Sequence, residues 1–81
     1  MRFIEALNLI NLCVKHKVLA EMDGGIAVYR YGTETSPKGW YLERKEDLAQ
    51  ELMHDHQGIE ALTTKLQELN VETNSIWCPN L

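Results

Sequence analysis

The chain reads as a single α+β domain over residues 1–81, in the order α-β-β-β-α-α. Three observations predict it: an apolar stripe at helical spacing over residues 2–16, an Asp-Gly-Gly turn between two alternating runs, and a leucine seam over residues 48–69. The expected architecture is a three-stranded antiparallel meander with helices packed on one face.

The first helix follows from Phe3, Ala6, Leu7, Ile10, Cys13 and Val14, which recur on one side of a 3.6-residue period. Lys15, His16 and Lys17 place cationic or ionisable groups where the negative end of the helix dipole favours them, so the helix is expected to stop there. Leu9 and Leu12 fall outside the stripe. The apolar surface of this helix therefore exceeds what one small sheet covers, and burying each leucine is worth about 1.5–3 kcal/mol. Two covers are expected for them: the segment around Trp77, or a second copy of the chain in a homodimer.

Asp23-Gly24-Gly25 lies between Val18–Met22 and Ile26–Tyr31. Asp-Gly supplies the positive φ angles of a tight hairpin turn, which predicts a hairpin over residues 18–31. After a loop from Thr33 to Gly39, the run Trp40-Tyr41-Leu42-Glu43 predicts the third strand. Alternation then assigns Val18, Ala20, Met22, Ile26, Val28, Trp40 and Leu42 to the core face. Leu19, Glu21, Ala27, Tyr29, Tyr31, Tyr41 and Glu43 are left on the other.

Leu48, Leu52, Asp55, Ile59, Leu62, Leu66 and Leu69 are spaced alternately four and three apart, a helix seam. Gly58 marks a break, and two short helices are favoured over one bent helix. Asn70 is suited to ending the second. Val71–Leu81 is expected to be a tail in which Ile76, Trp77 and Cys78 dock on the body, with Pro79 discouraging regular structure.

Composition narrows the function classes. The net charge is −4, divided between a +2 half over residues 1–45 and a −6 half over residues 46–81. Phosphate backbones are bound by clustered Lys and Arg, so direct nucleic-acid binding is not expected. No apolar run is long enough to span a bilayer and no signal-peptide pattern opens the chain, so no membrane association and a cytoplasmic location are expected. Cys13 and Cys78 are then free thiols.

No phosphate loop, nucleophile elbow or paired-carboxylate pattern occurs, and no catalytic activity or cofactor is expected. Cys13 and His16 sit three apart on the first helix, but they supply two metal ligands at most. His54 and His56, with Asp55 between them, point apart on a helix. Tyr29, Tyr31, Trp40 and Tyr41 place four of the six aromatic residues within one short stretch. A face with tyrosines and mixed charge suits a protein partner. The expected function is a non-catalytic protein-protein interaction or regulatory module, with Leu9, Leu12, Tyr29, Tyr31 and Tyr41 as binding residues and a homodimer as one form of partnership. Two alternatives stand beside it: an acidic inhibitor in the basic cleft of a nucleic-acid enzyme, and a small metal-binding protein using Cys13 and His16.

Overall fold

A computed structural model of the chain describes residues 1–77; the readings that fall on Cys78 and Pro79 lie outside the described residues. The order is α1 (Phe3–Lys15), β1 (Ala20–Met22), β2 (Gly25–Arg30), β3 (Gly39–Glu43), α2 (Lys45–Leu52), α3 (His56–Glu68) and α4 (Asn74–Trp77). The expected α+β class and antiparallel meander are both present, with sheet order β1-β2-β3. The short α4, within what the sequence suggests is an irregular tail, is an additional element.

Glu5 opens α1 by accepting the Arg2 backbone N–H at 2.8 Å, half of a capping box. Its far end closes on a left-handed residue, Lys17, with φ of 66°. The Val18 N–H donates to the Cys13 carbonyl at 2.8 Å and the Lys17 N–H to the Val14 carbonyl at 3.2 Å, the paired bonds of a Schellman motif. Because the Leu19 N–H also donates to Cys13, the first two residues of the expected hairpin belong to the helix end. β1 therefore begins at Ala20 rather than Val18. α3 ends the same way: Asn70 has φ of 61°, its N–H donates to Gln67, and the Val71 N–H donates to Leu66.

The hairpin turn is Asp23-Gly24, with φ of 51° and 79°, both positive as a two-residue primed turn requires. Its length corrects the assignment of faces. Residues directly opposite in an antiparallel pair share a face, and Met22 stands opposite Gly25. Even positions of β1 therefore pair with odd positions of β2, and the same parity holds between β2 and β3, where Tyr29 stands opposite Trp40. The helix-facing side carries Ile26, Val28, Tyr41, Glu21 and Glu43; the outer side carries Ala20, Met22, Ala27, Tyr29, Trp40 and Leu42. Matching even positions with even positions, as pure alternation suggests, is one residue out of step across both strand junctions.

The two helices expected over the leucine seam are α2 and α3, but the break between them lies before Gly58. Asp55 is the N-cap of α3, its carboxylate accepting the Gly58 N–H at 2.9 Å. A Cβ on Gly58 would stand 2.9 Å from the Asp55 carboxyl carbon, so glycine is what lets the cap close.

The core joins Ala6, Leu9, Ile10 and Cys13 of α1 to Ile26 of β2, Ala49 and Leu52 of α2, Leu66 of α3 and Ile76 of α4. α1 touches all three other helices, which is why its apolar surface is so broad. Leu9 is fully buried inside the single chain, which removes it as a binding residue, whereas Leu12 is only half-buried. The C-terminal segment provides part of this cover: Ile76 is buried, and its carbonyl accepts the Asn8 side-chain N–H at 3.4 Å.

Candidate functional site

Covering one side of the sheet with helices leaves its other side bare. On that outer face the Tyr29 and Trp40 rings meet edge to face, 5.4 Å apart at 75°. Tyr31 meets Tyr29 in the same manner at 5.3 Å and 75°. Such pairs are worth about 0.5–1.5 kcal/mol beyond the area they bury, so the three rings hold one another in place.

They do so in contact with solvent. Tyr31 is 88% exposed, Trp40 72%, Leu42 52%, Met22 49% and Tyr29 43%. The remaining strand positions on this face are Ala20, Gly25 and Ala27, none of which carries a charge. Gly25 lets Leu42 lie flat across β2, since a Cβ there would be 3.0 Å from Leu42 Cγ and 2.9 Å from the Glu43 carbonyl oxygen.

Beyond β1 the sheet is open along one edge. β2 is paired on both sides over Gly25–Ala27, but over Val28–Arg30 it pairs with β3 alone. On the vacant side a groove runs between β2 and α3, lined by Lys17, Val18, Tyr29, Ala61 and Leu62. Its walls are mainly apolar. Tyr29 belongs to both the groove and the aromatic face.

Charge is concentrated on the opposite, helix-facing side. Arg30 bonds Glu43 and Glu51 together, which raises the Arg30 pKa, and its hydrogen bond holds the Glu51 carboxyl below the usual glutamate range. Lys45 lies 3.9 Å from Glu21. The two glutamates assigned by simple alternation to the tyrosine face are thus on the other one.

Of the residues singled out in the sequence, the structure brings Tyr29 and Tyr31 together. Tyr41 lies on the helix-facing side with its hydroxyl donating to the Pro37 carbonyl. Leu9 is interior, and Leu12 borders a shallow depression with Asn8, Asn11, Lys15 and Ser75. Trp40, Met22 and Leu42, assigned by alternation to the core, are instead the neighbours of the tyrosines. The turn length was the signal that would have found them.

Cys13 is buried, and burial pushes its thiol up to about 11, so it stays protonated and weakly reactive at neutral pH. His16 is half-buried at the end of α1, and His54 and His56 are exposed. Among the described residues, no group of three or more His, Cys, Asp or Glu side chains is placed to hold a metal ion. What the outer face can do is bind through apolar and aromatic contact. Compared with protein families, with curated proteins and with solved structures, the chain matches none.

Proposed function

We propose that this protein is a non-catalytic interaction or regulatory module that works by binding another protein surface through the outer face of its sheet. One observation carries the reading: five large apolar side chains, three of them aromatic and mutually packed, stand exposed together on a face without a charged strand position. Aromatic residues and methionine are enriched in protein interfaces, and contiguous apolar patches of this kind mark interaction sites.

A base-stacking surface for single-stranded nucleic acid also uses aromatic rings, but it sets them among cations that track the phosphates. Here the strand positions beside the rings supply none, the two lysines near Tyr29 and Tyr31, Lys17 and Lys65, share their hollow with Glu68, and the chain carries a net charge of −4. The acidic-inhibitor reading is weakened from another direction. Glu51 is engaged by Arg30, Asp55 caps α3, and Glu72 accepts the Asn74 backbone N–H. On the proposed reading the protein works in the cytoplasm; among the described residues, no helix is long and apolar enough to cross a membrane.

Site-specific photo-crosslinking in the native cell tests the proposal. A benzophenone amino acid at position 40 is expected to form a discrete protein adduct, to this chain or another, whereas one at the exposed α3 position 60 is not. Equal labelling from both positions, or none from position 40, would refute the outer face as the working surface.

A further inference from the structure

We infer that the occupant of the outer sheet face is a second copy of this chain, packed sheet against sheet about a twofold axis. The inference rests on the proposed binding role of that face and names the partner.

Area is the first argument. Buried aromatic side chains cover 150–250 Å² each, so the exposed fractions of Tyr29, Tyr31 and Trp40, with those of Met22 and Leu42, amount to roughly 600 Å². Two copies together would bury about 1,200 Å², the lower end of the range for stable, specific interfaces. The roughly 600 Å² on one copy is at the upper end for the largest apolar patch of an ordinary monomer, roughly 300–600 Å².

Charge is the second. Discrimination between unlike partners rests on complementary charges and on polar groups that reject the wrong one. The strand positions of this face have no charge to offer such a partner. A twofold interface has the opposite requirement: each group near the axis meets its own copy, so a charge there repels itself. A face whose strand positions are neutral, with charge kept to a rim of Lys17, Lys65 and Glu68 beside Tyr29 and Tyr31, meets that requirement on a protein of net charge −4.

Shape is the third. Aligned sheets pack about 10 Å apart with interdigitated side chains. Large Tyr29 and Trp40 stand beside small Ala20 and Ala27, which gives the face both projections and a hollow.

Sedimentation equilibrium of the purified chain over roughly 1–100 µM is the test, a range that reaches micromolar dissociation constants. The wild-type chain is expected to reach twice the monomer mass at the upper end. Trp40→Glu and Tyr31→Glu, both at exposed positions, are each expected to weaken association at least tenfold with unchanged far-ultraviolet circular dichroism. In a Trp77→Phe background Trp40 is the only tryptophan, and its emission is expected to move to longer wavelength as the protein is diluted through the dissociation range. This second measurement decides the matter if the glutamate variants lose their fold.

A wild-type monomer throughout the range overturns the twofold dimer. So does a dimer that both folded glutamate variants preserve, or Trp40 emission that ignores dilution. If a monomeric protein still forms a discrete adduct from position 40 with a different protein, the binding role of the face stands and only the second copy is removed.

Discussion

Arg30 holds Glu51 with both arms of its guanidinium, Nη1 to Oε2 at 2.9 Å and Nη2 to Oε1 at 2.8 Å, while Nη2 also reaches Glu43 at 2.9 Å. Strands β2 and β3 and helix α2 are thereby tied at one point. Only a planar fork makes a two-pronged contact with a carboxylate, so the arrangement depends on arginine rather than on positive charge alone.

Glu51→Gln is expected to cost about 0.5–1 kcal/mol at pH 7, the scale of a well-formed but solvent-accessible pair. The Glu51 pKa is lowered in the fold, so its stabilisation is present above the ordinary glutamate pKa and is lost as pH falls through the lowered value. Urea titrations at pH 7 and pH 3 check this. The gap between wild type and variant should narrow at the lower pH; a constant gap would remove the ion pair as its cause.

Gly24→Val is expected to destabilise the hairpin by about 1–3 kcal/mol, because a β-branched residue is forced to a positive φ of 79°. Open space surrounds the position, so the cost is conformational rather than steric. Thermal melts of Gly24→Val and Gly24→Asn separate the two causes, with Asn tolerated. Equal loss in both would point to crowding instead.

Asp55→Ala removes the cap of α3 and is expected to cost about 1 kcal/mol. Gly58→Ala brings a methyl group against that cap, cancelling the gain in helix propensity that alanine ordinarily gives. Combined with Asp55→Ala, the same substitution should become neutral or stabilising. Additive behaviour in this double-mutant cycle would show that the two residues do not interact.

Cys13 is expected to resist thiol reagents in the folded protein at pH 8, since burial holds its pKa at about 11. In a Cys78→Ser background, labelling should be slow in buffer and rapid in urea. Rapid labelling without denaturant would place Cys13 at the surface.

Much of this fold was legible because local chemistry determines it. The stripe from Phe3 to Val14, the Asp23-Gly24 turn and the left-handed termination at Asn70 each act within a few residues, and each appears where the sequence puts it. The faces of the sheet were misread for a different reason. Hydrophobicity asks where Met22, Trp40 and Leu42 would be most stable in one chain, and the answer is the core; register asks where a two-residue turn puts them, and the answer is outside. Register prevailed because backbone hydrogen bonds across the ladder act together, whereas each exposed side chain costs only its own burial. The docking of Ile76 beside Asn8, far apart in the chain, was anticipated only as one of two covers for α1, because no local signal specifies a contact of such separation.

That contact has a consequence for synthesis. Leu9 is made first, and Ile76, whose segment helps enclose α1, is added 67 positions later. At 5–20 residues per second the ribosome needs roughly 3–13 s to cover that interval. Throughout it the nascent α1 lacks part of its native cover, and completion of the core must wait until Ile76 has left the exit tunnel.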